Sequence, residues 1–123
     1  RAEEFTEKYG EENYDNLYPQ GWKLLSEGCY YEGQPVLFTE FGGIAMQSEQ
    51  KNGAWGYNDG AKDKEAFYAQ LESLLKGIAS VKFQGYCYTQ LTDVQQEING
   101  LLYPDRTPKF EIARIKKIFE LKK

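Results

Sequence analysis

The sequence predicts a mixed α/β fold built on parallel strands, in the order strand, helix, strand, helix. Three observations carry this. Residues 35 to 43, PVLFTEFGG, are an apolar run that closes on one carboxylate and two glycines. After Asp63 comes a stripe of apolar residues at helical spacing, and residues 84 to 90, QGYCYTQ, form a second aromatic run. A long loop and the helix separate the two runs, which is a βαβ connection and therefore a parallel pair.

Taken in order, residues 2 to 9 read as a short charged helix, and Gly10 with the polar GEENYDN reads as a loop with little core to bury. The first firm element is a strand over Pro35 to Glu40. Its consecutive Val36, Leu37 and Phe38 suit a strand covered on both faces. The segment from Gly42 to Gly60 contains five glycines and the pair Trp55 and Tyr57. Loops of this length in compact domains tend to be functional, so it is the natural wall of a binding site.

From Asp63, placed as an N-cap, a helix presents Phe67, Leu71, Leu74, Leu75 and Ile78 on one stripe, with Lys76 near its C-terminal end. The second strand, Gln84 to Gln90, carries Tyr86, Cys87 and Tyr88. The polar LTDVQQEINGLLYPDRTP follows, and a last helix is expected near Thr107 as N-cap with Pro108 at its first position. Phe110, Ala113, Ile118 and Leu121 lie on its apolar stripe, broadened by Ile112 and Ile115.

Composition narrows the chemistry. At 123 residues, 41% apolar and 15% aromatic, the chain fits one globular domain. The net charge of -4 is unevenly spread, with an acidic start and a basic end. Lys and Arg at the C-terminal end of a helix complement its dipole, and no basic-aromatic stripe points to nucleic acid. Histidine is absent. That excludes Ser-His and Cys-His dyads and a His-containing zinc site within this chain, so any catalysis falls to carboxylates. Cys29 and Cys87 lack the spacing of a metal site and are expected to be small buried hydrophobes, so no metal and no cofactor are expected. No apolar run approaches the roughly twenty residues that span a bilayer, and the polar start is not a signal peptide. A soluble protein is expected, cytoplasmic in preference to secreted, without membrane or nucleic-acid partners.

Two strands cannot close a barrel, and they leave unpaired edges, so the chain reads as part of something larger. In (β/α)-type enzymes, reacting groups sit at the C-terminal ends of the strands. Glu40 occupies that place on the first strand; Tyr88, Thr89, Gln90 and Asp93 occupy it on the second. An acid there either has a partner that neutralises it, a backbone amide or a lysine, or uses its charge. Trp55 and Tyr57 offer a flat apolar face to a pyranose ring or pack the loop. Neither GxGxxG nor GxxxxGK[ST] occurs, so nucleotide chemistry has no support.

PVLFTEFGGIAM together with GYCYTQLTDVQQEINGLLYPDRTPK resembles the last part of the catalytic barrel of glycoside hydrolase family 2, the β-galactosidases, β-glucuronidases and β-mannosidases. The resemblance covers about residues 20 to 119 and is strongest at 33 to 46 and 84 to 112. It implies a partial TIM (β/α)8 barrel: the last two βα units, strands seven and eight with their helices, after an N-terminal loop and helix segment. Residues 1 to 123 are then a C-terminal fragment of the catalytic domain. The resemblance makes Glu40 the nucleophile of a retaining hydrolysis of terminal β-glycosidic bonds. Such a reaction needs a second carboxyl roughly 5 Å away to protonate the leaving oxygen. The family supplies it from an Asn-Glu pair after the fourth strand, and no Asn-Glu occurs here.

The expected partners are accordingly a carbohydrate substrate, the rest of the barrel and upstream β-sandwich domains. The chain alone is expected to be inactive and to self-associate. Trp55, Tyr88, Gln90 and Asp93 are the expected substrate-binding residues. Many relatives carry a tryptophan where this chain has Tyr88-Thr89-Gln90, a departure that bears on which sugar is bound. Asp93 and Glu97 follow the eighth strand, where the family has substrate-contacting or structural groups. Asn99, Arg106 and Pro108 are assigned to shaping the loop and the helix start. The competing class is a non-catalytic carbohydrate-binding or protein-interaction module using Trp55 and the tyrosine-rich strand.

Overall fold

The structure is a computed structural model that describes residues 11–16, 18, 21–57, 59–81 and 83–120. Strand β1 (Leu37–Gly42), helix α1 (Lys64–Ala79), strand β2 (Gly85–Thr89) and helix α2 (Ile112–Phe119) follow one another in the expected order. The expected helix over residues 2 to 9 lies outside the described residues.

The two strands pair in parallel, as the intervening helix requires. Their register is interrupted between Phe38 and Phe41: Phe38 stands opposite Tyr86 and Phe41 opposite Tyr88, so Thr39 and Glu40 together oppose Cys87. That is a β-bulge. Side chains in a regular strand alternate, and residues three apart point to opposite faces. The extra residue brings both Phe38 and Phe41 to the helix side, where Phe38 stacks on Phe83 (5.4 Å) and Phe41 meets Tyr86 and Tyr88 edge-on at 5.6 Å each.

Helix α1 starts where its sequence says. The Asp63 carboxylate accepts a hydrogen bond from the Ala66 amide at 2.7 Å, satisfying one of the amides that a helix start leaves open. Phe67, Leu71, Leu75 and Ile78 are buried as expected, and Tyr68 joins them; Leu74 stays largely exposed. Phe67 stacks on Phe110 at 3.8 Å, and the Tyr68 hydroxyl accepts the Glu111 amide at 2.9 Å. Arg114 sits over the Tyr68 ring and forms a two-pronged ion pair with Glu65 at 2.6 and 2.7 Å, tying the helices together at the surface.

Four expectations are corrected. The last helix begins at Ile112, not near Thr107. Thr107 is held by the Asp105 carboxylate and accepts the Tyr103 amide through its carbonyl, while the Lys109 amide donates to Leu101. Residues 107 to 109 therefore close the preceding loop. Among the described residues the sheet is covered on one face only: Leu37 is 55% exposed, because both helices lie on the side of Phe41, Tyr86 and Tyr88. Cys29 and Cys87 are exposed rather than buried; Cys87 alternates with Tyr86 and Tyr88 and so faces the open side. The segment after Gly10 is not featureless, since Glu11–Asn16 forms a 3-10 turn that buries Tyr14 edge-on against Tyr31 at 4.8 Å. Among the described residues no helix is long and apolar enough to cross a membrane.

Candidate active site

Both strands end on the same rim, and a cleft of about 460 Å³ opens there, lined by Glu40, Phe41, Gly42, Gly43, Tyr57 and Thr89. Glu40 reaches it because of the bulge. Bulges re-aim side chains and locally break the ladder, and this one leaves the Glu40 side chain exposed at the strand end. The chain then turns through two glycines with positive φ, +110° at Gly42 and +63° at Gly43, a region that L side chains rarely adopt. The Gly43 amide donates to the Thr89 carbonyl at 2.7 Å, continuing the strand pairing to the rim.

Tyr57 forms the opposite wall. Its amide donates to the Gly43 carbonyl at 3.1 Å, and Trp55 packs edge-on against its ring at 5.4 Å. Trp55 is itself held between strands of loop: its amide donates to Gln96 and its carbonyl accepts Ile98, at 2.8 and 3.0 Å. Glu97 enters through this pairing, opposite Trp55, from a tight turn in which Val94 and Glu97 exchange backbone hydrogen bonds. The charge of Glu97, loss of solvent and the charge of Glu40, in this order, hold the Tyr57 phenol above its usual range.

The expected site residues are thus only partly brought together. Glu40 lines the cleft beside Tyr57; Trp55, 45% exposed, stands behind Tyr57. Gln90 lies just beyond Thr89, and its side-chain amide donates to Asn99 Oδ1 at 2.8 Å and to the Glu97 carbonyl at 3.5 Å, holding the loop that carries Glu97. Tyr88 points to the helix side, between Phe41 and Phe119 at 5.6 Å from each. Its buried hydroxyl has no hydrogen-bond partner among the described residues, and burial pushes the phenol far up. Asp93 is 7% exposed: its Oδ2 lies 2.7 Å from the Lys109 ammonium and its Oδ1 accepts the Gly100 amide at 2.9 Å. Lys109 also reaches Glu49 and the Ile98 carbonyl, at 3.0 Å each. Asp93 and Tyr88 therefore sit in the packing beneath the rim, outside the lining of the cleft.

Sequence reasoning did not bring Glu97 to Tyr57 or Gly43 beneath it. Forty residues separate Tyr57 from Glu97, and only the backbone pairing of Trp55 with Glu97 joins them. Among the described residues no group of three His, Cys, Asp or Glu side chains is placed to hold a metal ion. One exposed carboxylate at the end of a parallel strand, facing a tyrosine across an open cleft, suits nucleophilic attack or hydroxyl binding. No protein-family model and no curated protein matches the sequence.

Proposed function

We propose that the chain is the C-terminal part of the catalytic barrel of a retaining β-glycosidase of the glycoside hydrolase family 2 type, with Glu40 as its nucleophile. The observation that carries the reading is the placement of Glu40: a bulge at the C-terminal end of a parallel strand turns its free carboxylate onto a cleft floored by Gly42 and Gly43. The resemblance of the TEFGG motif supplies the substrate class.

In this reaction the Glu40 carboxylate attacks the anomeric carbon while the glycosidic oxygen leaves with a proton from a second carboxyl. Water, deprotonated by that same group, then attacks the glycosyl ester, releasing Glu40 and the sugar with retained configuration. The second carboxyl comes from a strand outside this chain, so the 123 residues alone are inactive. A barrel of this kind takes about 250 residues. Its missing strands would cover the open face that leaves Leu37 and Cys87 exposed, and without them that face makes the chain self-associate. Upstream β-sandwich domains complete the proposed parent.

Glu40→Gln in the longer enzyme tests the assignment. Hydrolysis of aryl β-glycosides should fall by several orders of magnitude with the melting temperature unchanged; turnover at the wild-type rate removes Glu40 from the chemistry. Exposed Trp55 favours a second reading, a sugar-binding module without chemistry. There the isolated chain binds sugar, and Trp55→Ala, not Glu40→Gln, abolishes binding.

A further inference from the structure

We propose that Lys109 is a positioning residue of the Glu40 cleft: from beneath the rim it fixes the turn that carries the wall of Trp55 and Tyr57, and so sets how tightly a sugar is held there. Its kinetic consequence rests on the reading of Glu40 as a glycosidase nucleophile; the packing behind it does not. A lysine ammonium has three protons to donate, and three acceptors surround this buried one. Asp93 lies at 2.7 Å, Glu49 at 3.0 Å and the Ile98 carbonyl at 3.0 Å. A buried ion pair contributes little net stability compared with apolar side chains of the same volume. What three fixed acceptors contribute is geometry. Glu49 belongs to the loop after β1, Asp93 and Ile98 belong to the loop after β2, and Lys109 joins the two loops just ahead of α2.

Ile98 is where this cluster reaches the cleft. Its carbonyl accepts Lys109 while its amide donates to the Trp55 carbonyl, also at 3.0 Å, and the Trp55 amide donates to Gln96. Two residues further on, the Tyr57 amide donates to Gly43, and the Tyr57 ring meets Trp55 edge-on. Both rings are exposed, so the backbone hydrogen bonds of their segment decide where they stand. Asp93 steadies the same loop at its base. Its Oδ1 accepts the Gly100 amide at 2.9 Å, and a β-carbon on Gly100 would collide with the Asp93 backbone. Glu40 is carried by β1, which is held by its pairing with β2 and not through Lys109. Loss of Lys109 therefore loosens the wall and leaves the nucleophile in place.

The test has two readouts. The chain has two tryptophans, so Trp22→Phe leaves Trp55 as the reporter of its own wall, read by acrylamide quenching of its fluorescence. Lys109→Met alone strands the Asp93 charge and loses stability, so the deciding variant combines it with Asp93→Asn, which keeps an acceptor for Gly100. In that double variant of the chain, Trp55 should be quenched more strongly than in wild type. The second readout is steady-state kinetics of the longer enzyme on aryl β-glycosides, where the double variant should raise KM about 5-fold with kcat close to the wild-type value. Tyr103→Phe removes the 3.2 Å hydrogen bond to Glu49 and no bond between Lys109 and Ile98, and should change neither readout. A purely stabilising role for Lys109 would return quenching and KM to wild type as the urea midpoint recovers. Wild-type quenching of Trp55 in the folded double variant, or a fall in kcat at unchanged KM, overturns the proposal. A longer enzyme that hydrolyses no β-glycoside, while Trp55 of the chain still responds to Lys109, overturns the glycosidase reading and leaves the positioning of Trp55 by Lys109 standing.

Discussion

The Tyr57 ring occupies the space that a side chain on Gly43 would need: an ideal β-carbon there would stand 2.5 Å from Tyr57 Cδ2 and 2.8 Å from Tyr57 Cβ. Gly43 also has φ +63°, where any L residue is strained. Gly43→Ala should therefore cost about 1–2 kcal/mol from the backbone alone, and it should push Tyr57 off the cleft wall. The expected outcome is a lowered urea midpoint together with loss of the raised Tyr57 titration. An alanine variant as stable as wild type, with Tyr57 titrating unchanged, would contradict this packing.

Beneath the rim, Lys109 is 4% exposed and paired with Asp93 at 2.7 Å and Glu49 at 3.0 Å. Removing one partner of a buried pair leaves the other charge unpaired, which costs about 3–5 kcal/mol. Lys109→Met should show a loss of that size in urea unfolding. Lys109→Met combined with Asp93→Asn should recover part of it, since the stranded charge is gone. Equal losses in the single and double variants would show that packing of the lysine stem, not charge, dominates.

The buried Tyr88 hydroxyl gives a prediction at alkaline pH. Its folded pKa is raised above the ordinary 10.0 by burial, so the folded chain keeps a proton that the unfolded chain releases. Stability from this group is complete below the unfolded value and falls as pH rises through and beyond it. Tyr88→Phe should flatten the alkaline decline and, by removing a buried hydroxyl without a partner, match or exceed wild-type stability at neutral pH by about 1 kcal/mol. A marked loss at neutral pH would mean that the hydroxyl is engaged.

At acid pH the surface clamp between the helices is the group to watch. The hydrogen bond from Arg114, reinforced by its charge, lowers the Glu65 carboxyl from 4.5. Its contribution is complete above that value and is lost as pH falls through the depressed one. The pair is exposed, so salt screens it. Arg114→Leu should reduce the acid sensitivity of the melting temperature at low salt and have less effect at high salt; the same sensitivity in both proteins would remove the clamp from the acid response.

Much of this fold is legible in the sequence where local chemistry decides it. Asp63, the stripe from Phe67 to Ile78 and the length of the connection to β2 suffice for the helix and for parallel pairing. The bulge at Thr39 and Glu40 is a property of register between two strands, and neither strand alone encodes it. Thr107 and Pro108 carry the signature of a helix start, yet Asp105, Leu101 and Tyr103 claim their segment for the loop. Cys87 and Leu37 look like core residues and lie on the open face, because burial depends on what covers a sheet. Glu40 was visible from its place after an apolar run; Glu97 came into view only through the pairing of its loop with Trp55.

The most direct measurement is the intact mass of the longer enzyme after incubation with a panel of 2-deoxy-2-fluoro-β-glycosyl reagents, which trap a covalent glycosyl-enzyme, with this chain treated in parallel. If Glu40 is the nucleophile, one sugar adds its mass to the longer enzyme, the adduct maps to the peptide bearing Glu40, and the chain alone and the Glu40→Gln enzyme remain unmodified. A folded longer enzyme that takes up no sugar from any reagent, or an adduct on a different carboxylate, would contradict the assignment.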